Sequence, residues 1–317
     1  MSIQILGTGF YVPEKIVTND DLAKMVDTSD EWIVQRVGTR NRHVSTHETT
    51  ADFAVKAAGN ALSSAGIAAE ELDLIIAATI TSDTICPTVA GAVQREIGAV
   101  CPSFDINSAC SGFLFALDTA VSYVIRGGIR NVLVIGSERL SKIVDWNDRG
   151  TCVIFGDGAG AAVVAPGDGY LASTLYTRGG SEVIEIPAYA GGSPFFKGEI
   201  KNPYIRMEGQ ETFKFAVNRI VEDIKYVTEK SGIPLDEIDH IVTHQANIRI
   251  MDYASRRLGI PREKFFINIH KYGNTSAASV PMALAELNSS GRLKRGDIVV
   301  MSAFGGGLSG ASCIMKW

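Results

Sequence analysis

Cys110 lies in Asn107-Ser108-Ala109-Cys110-Ser111-Gly112, between an apolar strand-like run, Cys101 to Ile106, and a helix-like run, Phe113 to Arg126. A thiol at a helix start faces oriented N–H groups and the positive end of a dipole. Both favour thiolate over thiol. Far along the chain stand His244, in Thr243-His244-Gln245-Ala246-Asn247, and Asn274, in Tyr272-Gly273-Asn274-Thr275-Ser276. A cysteine nucleophile with a distant His and Asn points to acyl-thioester chemistry. Histidine Nε2–H and an Asn amide both donate hydrogen bonds. Two donors aimed at a developing oxyanion would each be worth ~3 kcal/mol, by analogy with oxyanion-hole donors. The remaining histidines, His43, His47, His240 and His270, are expected to be structural or exposed. Cys86, Cys101, Cys152 and Cys313 read as small buried hydrophobes.

The elements that must position these groups alternate along the chain. Helical patterns cover Thr50–Ser64, Val89–Ile97, Cys110–Arg126, Glu211–Ser231, Ile248–Leu258 and Ser276–Ser289. Strand-like runs cover Ile3–Gly7, Leu74–Ala78, Val132–Ile135, Gly160–Val164, Ile241–Thr243, Ile298–Met301 and Ser312–Lys316. Such alternation predicts layered α/β packing. The chain also repeats itself. Gly66-Ile67-Ala68-Ala69-Glu70-Glu71-Leu72-Asp73-Leu74-Ile75-Ile76 resembles the run Gly232 to Val242, and Val132–Ile135 aligns with Ile298–Met301 at the same offset. The organisation expected is two similar halves, residues 1–170 with Cys110 and residues 171–317 with His244 and Asn274. The three residues then fall at equivalent edges of the two halves.

The 317 residues hold ample apolar content for a large core, and a net charge of −5 argues against general nucleic-acid binding. Five cysteines without a CxxC pair suggest neither a disulfide framework nor a zinc site. The apolar start, Met1 to Gly7, is too short for a signal peptide, and no run approaches the ~20 apolar residues of a membrane span. A reduced cytosol is the expected compartment.

Several motifs in order carry a family resemblance. They are Asp27-Thr28-Ser29-Asp30-Glu31-Trp32-Ile33, Ala109-Cys110-Ser111-Gly112-Phe113, and Phe155-Gly156-Asp157-Gly158-Ala159-Gly160-Ala161. His244-Gln245-Ala246-Asn247-Ile248-Arg249, His270-Lys271-Tyr272-Gly273-Asn274-Thr275-Ser276-Ala277 and Phe304-Gly305-Gly306-Gly307 complete the set. With them the chain resembles, over nearly its whole length, β-ketoacyl-acyl-carrier-protein synthase III, the initiating condensing enzyme of bacterial fatty-acid synthesis. The resemblance implies a thiolase-like fold of two pseudo-symmetric halves in α-β-α-β-α layers, and a homodimer. Its implied reaction takes an acyl group from acyl-CoA onto Cys110. Decarboxylative condensation with malonyl-acyl-carrier protein follows, with no metal or redox cofactor.

It also implies site roles. The N–H groups of Cys110 and Gly306 form an oxyanion hole, and His244 and Asn274 serve the malonyl enolate. Trp32 and Arg149 sandwich the CoA adenine, while Thr28, Arg36, Phe213 and Asn247 line the tunnel. Arg249 and Arg256, seven apart and so on one helix face, dock the acidic carrier protein, with Lys214 and Arg257 extending the patch. Phe155–Ala161 lacks the Lys-Ser/Thr of a Walker loop and reads as a close-packed turn near the interface. Three departures from the family's usual sequence stand out. Ser111 follows the nucleophile in place of Ala, Leu308-Ser309-Gly310 replaces Phe-Thr-Trp, and Cys86 precedes Pro87 where a Phe is common. The loop holding Cys86 reaches the partner's acyl pocket in the family, so it bears on primer choice.

Overall fold

Side-chain alternation along the strand Val132–Glu138 sets the layering. Val132 and Val134 face one hydrophobic cluster, and Leu133 and Ile135 face another. A strand buried on both faces needs a layer on each side. The computed structural model, which describes residues 2–188, 194–195, 197–198 and 201–317, supplies those layers.

Ten strands form two five-stranded sheets. In the first are β1 (Ser2–Tyr11), β2 (Leu74–Ala78), β3 (Ser103–Ile106), β4 (Val132–Glu138) and β5 (Gly158–Gly167), in the order β1-β5-β4-β2-β3. In the second are β6 (Tyr170–Thr177), β7 (His240–Thr243), β8 (Phe265–Phe266), β9 (Ile298–Gly305) and β10 (Ser309–Lys316), in the order β6-β10-β9-β7-β8. Adding five to each label of the first order gives the second. Directions match as well. β2 is parallel to β3 and β4, as β7 is to β8 and β9, and the remaining pairs are antiparallel.

The main helices repeat in the same way. α1 (Thr50–Ala65), α2 (Val89–Ile97) and α3 (Gly112–Arg126) correspond to α4 (Gly209–Ser231), α5 (Ile248–Leu258) and α6 (Ser279–Ser289). α3 and α6 lie between the two sheets, in one core cluster with β-strand residues of both halves. α1 and α2 cover the outside of the first sheet, and α4 and α5 the outside of the second. Five layers result, α-β-α-β-α. Helix ends follow the sequence: Thr49 caps α1 through a capping box with Asp52, and Gly66 ends it with a left-handed φ of 68°. The segment Ala109–Arg126 has the length and mean hydropathy (1.2) of a short membrane span. It is a core helix here, with Phe113, Leu117 and Val124 between the sheets.

The sequence places most elements within a few residues of their observed bounds. It omits β6, whose half-exposed Ser and Thr positions dilute the apolar pattern, and β8, which is only two residues long. It also starts two helices early. Cys110 and Ser276 stand not in α3 and α6 but in tight turns before them, Ala109–Ser111 and Ser276–Ala278. Gly158 and Ala159, expected in a turn, begin strand β5 ahead of the expected start at Gly160.

Candidate active site

Two matching elbows face each other where the halves meet. In the first, Ala109 takes φ 46° and throws Cys110 out of the line of β3. In the second, Ser276 takes φ 50°. Left-handed conformations in non-glycine residues cost about 1–3 kcal/mol each and persist only where surrounding packing fixes them. That packing is visible at two glycines. A Cβ on Gly305 would sit 2.8 Å from the Cys110 backbone N, and one on Gly136 would sit 2.3 Å from the Ala277 carbonyl. Both strand ends therefore press directly on an elbow.

Cys110, His244 and Asn274 line one cavity of about 190 Å³. Phe213, Asn247 and Gly306 share its wall. The backbone N–H groups of Cys110 and Gly306 both favour the ionised form of the Cys110 thiol. At the thiol itself, burial opposes the helix-dipole effect. Burial pushes the thiol's pKa up to about 11, outweighing the contact with Ser276 and the two N–H groups, and the Glu138 carboxylate adds to the rise. Helix α3 also begins two residues later than the sequence suggests, so the dipole end is not centred on the sulfur.

His244 follows β7, and its N–H donates to the Ser302 carbonyl at 2.8 Å. Its ring meets Phe304 edge to face, with centroids 5.3 Å apart. Burial lowers its pKa to about 3, so the imidazole is neutral at physiological pH. Nδ1 lies 2.6 Å from Ser279 Oγ, which also lies 2.8 Å from the Ser276 carbonyl. Ser279 has one proton. When it faces Nδ1, Nε2 carries the hydrogen and the ring presents a donor to the cavity.

Asn274 is held from all sides. Its N–H donates to Ile154 O at 2.9 Å, and its carbonyl accepts from Gly156 N at 3.0 Å. Its Oδ1 accepts from Ser276 N at 2.8 Å. A backbone N–H can only donate, so the oxygen is the atom turned back and the NH2 remains for the cavity. The run Phe155-Gly156-Asp157 thus acts as the clamp on Asn274. Asp157 anchors the clamp by accepting from Ser45 N, Ser141 N and Ser141 Oγ.

Two of the sequence departures are partners. Ser111 Oγ and Ser309 Oγ lie 2.9 Å apart, and Ser309 Oγ also reaches the carbonyls of Gly306 and Ser108. The nucleophile elbow and the glycine turn are tied across 198 residues of chain.

The residues expected at the tunnel mouth gather there unevenly. The Arg149 guanidinium sits 5.5 Å from the Trp32 ring and donates to Asp27 O. Thr28 Oγ1 is buried without a hydrogen-bond partner. Arg36 is exposed, and its carbonyl accepts from Asn247 Nδ2. Asn247 Oδ1 caps α5 by accepting from Arg249 N, so this side chain mainly shapes the wall. Arg249, Arg256 and Arg257 are exposed and form no ion pair among the described residues, and Arg249 lies 5.5 Å from the Phe213 ring. Lys214 differs: it pairs with Glu211 at 2.6 Å and borders a separate cavity lined by Tyr176 and Arg178. Cys86 is exposed, not buried as its residue type suggests, whereas Cys101, Cys152 and Cys313 are buried. Among the described residues no cluster of His, Cys, Asp or Glu could hold a metal ion.

The sequence reading missed one titratable group. Glu138, at the end of β4, is fully buried behind the elbows, and burial raises its carboxyl to about 7. It does not line the cavity. No motif signals it. Only the fold brings it beside Cys110.

Comparisons with known proteins agree with this geometry. Residues 104–179 match the family described as 3-oxoacyl-[acyl-carrier-protein] synthase III, and residues 228–317 match its C-terminal region. The chain is 49% identical to a protein of Clostridium acetobutylicum named beta-ketoacyl-[acyl-carrier-protein] synthase III, covering 100% of this chain and 99% of that one. It superposes on the crystal structure of 3-oxoacyl-[acyl-carrier-protein] synthase III from Aquifex aeolicus with a TM-score of 0.93 at 45% identity, over 99% of this chain and 100% of that one. It matches the priming β-ketosynthase of the R1128 polyketide pathway with a TM-score of 0.93 at 34% identity, over 99% and 96%.

Proposed function

The chain belongs to the 3-oxoacyl-[acyl-carrier-protein] synthase III family, and from that premise we propose how its own residues divide the reaction. The protein is an acyl-transferring condensing enzyme that initiates type II fatty-acid synthesis. Cys110 attacks the acyl-CoA thioester. The N–H groups of Cys110 and Gly306 hold the oxyanion while CoA leaves. Malonyl-acyl-carrier protein then enters, and Nε2–H of His244 with Nδ2 of Asn274 stabilises the enolate formed as CO2 departs. The enolate attacks the acyl group, and Cys110 is released.

The observation that carries this reading is the single cavity shared by Cys110, His244 and Asn274, where two backbone N–H groups favour the Cys110 thiolate. Neutral His244 suits a donor better than an acid, since a group with a pKa of about 3 carries no proton to give at neutral pH. Trp32 and Arg149 take the adenine, Thr28 Oγ1 offers a free donor, and Arg36, Phe213 and Asn247 form the passage inward. Arg249, Arg256 and Arg257 dock the acidic carrier protein, with Lys214 contributing only if Glu211 releases it. The enzyme works without metal or redox cofactor, in the cytoplasm, as a homodimer. The dimer reading rests on the outer edge of β3, which pairs with no strand among the described residues, and on Ile85, 94% exposed on the loop that also carries Cys86.

Incubation with acetyl-CoA followed by intact mass measurement tests the assignment. One acetyl group per chain is expected, lost in Cys110→Ser with at least a ~10³-fold fall in turnover. A stable adduct on another cysteine would defeat it.

A further inference from the structure

We propose that Arg42 is a positioning residue for decarboxylation: its buried side chain holds the clamp on Asn274 and so aims the Asn274 amide at the malonyl enolate. The inference rests on Asn274 serving as an enolate donor.

Arg42 is 0% exposed. It stands in the middle of the short strand Asn41–His43, which pairs antiparallel with Ile16–Thr18. Burial lowers its pKa only to about 10, so the guanidinium is charged at physiological pH. Buried cations are ordinarily paired with a carboxylate. This one is not, among the described residues. Nη1 donates to the Val17 carbonyl at 3.3 Å, and Nη2 donates to Asn19 Oδ1 at 2.9 Å and to the Val153 carbonyl at 3.0 Å. Nε has no partner. For stability alone, an apolar side chain of similar size would serve as well as a buried cation. What only the rigid fork supplies is a fixed arrangement of the segments that hold its acceptors.

One of those segments is the clamp itself. Val153 leads into Ile154, whose carbonyl accepts from Asn274 N at 2.9 Å, and into Gly156, whose N–H donates to Asn274 O at 3.0 Å. The stem of Arg42 reaches the same place. A Cβ on Gly156 would lie 3.1 Å from Arg42 Cβ and 2.2 Å from the Tyr272 carbonyl. One on Gly273 would lie 3.6 Å from Arg42 Cβ and 2.8 Å from the Ile154 carbonyl. Arg42 thus packs on both glycines that let the clamp and the Asn274 segment meet. Its chain neighbours bind the two sides as well: Arg40 N donates to His270 O at 3.1 Å, and His43 O accepts from Asp157 N at 2.8 Å.

The far end of the fork is fixed too. Asn19 Nδ2 donates to Asp30 Oδ1 and to the Thr39 carbonyl, both at 2.8 Å, which leaves its Oδ1 to accept from Arg42. Arg42 does not line the catalytic cavity, so it acts through Asn274 and not on substrate. The nucleophile elbow is braced by other groups, with Gly305 pressed on Cys110. Loss of the fork therefore loosens one donor and leaves the nucleophile in place.

R42M keeps an unbranched stem and removes every donor. At saturating acetyl-CoA, single-turnover acylation of Cys110 should stay within about threefold of wild type, while CO2 release from malonyl-acyl-carrier protein falls at least ~10-fold, as a misplaced catalytic group predicts. A cycle with N274A separates positioning from general damage. If Arg42 acts through Asn274, R42M should lower decarboxylation less than about twofold further in the N274A background. General damage would multiply the two losses and slow acylation as well. R42K retains the charge and part of the donor set. It should fall between wild type and R42M, and it carries the same cycle if R42M does not fold. Equal losses in both half-reactions, full multiplication in the cycle, or wild-type decarboxylation in either folded variant overturns the proposal. Wild-type decarboxylation in N274A itself would overturn the enolate role of Asn274 instead.

Discussion

The two elbows share a backbone and differ in what they present. Ala109 and Ser276 adopt the same strained conformation, at φ 46° and 50°, and each opens a tight turn into a helix between the sheets. The first half offers a nucleophile there, Cys110. The second offers only neutral hydrogen-bonding groups: Asn274 just before the turn, His244 at the end of β7, and the Ser276 hydroxyl. The strand ends behind them differ as well. β4 ends in the buried Glu138, and β9 ends in Phe304 and Gly305. On the proposed reading, a duplicated scaffold separates covalent chemistry from electrostatic stabilisation. The thiolase-like architecture allows this because both halves aim equivalent strand ends at one cavity.

The sharpest test of that division is His244→Ala and Asn274→Ala. Each should lower malonyl decarboxylation by ~10²–10³-fold, the loss typical of an oxyanion donor. Cys110 acylation should fall much less, since its donors are backbone N–H groups in the first half and the glycine turn. Separate measurement of CO2 release and of acyl-enzyme formation reads the two halves independently. Equal losses in both would show that the halves do not divide the work.

The next contrast is electrostatic. Glu138 has its folded pKa raised from 4.5 to about 7, while the second half carries no charge at the matching strand end. A raised acid pKa means that the folded state binds the proton more tightly than the unfolded one. The contribution is fully present below about pH 4.5 and is lost as pH rises through about 7. Across that window wild type should lose on the order of 3 kcal/mol relative to E138Q. Denaturant unfolding of both proteins at pH 4.5 and 8 measures the difference. Parallel pH dependence in the two would place the ionised carboxylate outside the folding balance.

Much of this was legible in the sequence, and the limit is physical. Cys110, His244 and Asn274 stand in short motifs with unusual residue combinations, and the repeated runs at Gly66 and Gly232 expose the two halves. Ser276 and Glu138 are ordinary residues that become informative only when β4 and the second elbow meet. The pairing of Ser111 with Ser309 could not be read for the same reason, although each was visible as a departure. Burial's opposing effect at Cys110 is not legible in the sequence, because a dipole is a local property whereas burial depends on the whole surrounding fold.

The outer helices extend the comparison to the surface. On α2, Arg95 is neutralised by Glu96, with which it forms an ion pair. On the matching α5, Arg249, Arg256 and Arg257 have no acidic partner among the described residues. The free positive face belongs to the half that carries His244 and Asn274, the residues proposed to serve the malonyl group. Arg249→Glu should raise KM for malonyl-acyl-carrier protein about tenfold through lost steering and docking, with the effect shrinking as salt rises. Acylation by acetyl-CoA should stay near wild type. Loss of self-acylation in a folded variant would move Arg249 from the docking surface into the tunnel framework.

The smallest effect lies on the seam between the halves. Ser111 belongs to the nucleophile elbow and Ser309 to the first turn of β10, and their hydroxyls form one buried bond. One hydroxyl must donate and the other accept, and Ser309 also serves the carbonyls of Gly306 and Ser108. Ser309→Ala removes every one of these contacts, whereas Ser111→Ala removes one. Each substitution should cost about 1 kcal/mol of stability, with Ser309→Ala the larger. Because both delete the same bond, the double variant should cost less than the two added together, by ~0.5–1 kcal/mol. Chemical denaturation of the four proteins closes the cycle. Strict additivity would mean that the two serines act separately and that the seam is held by the glycine turn and the packing of Gly305 on Cys110 alone.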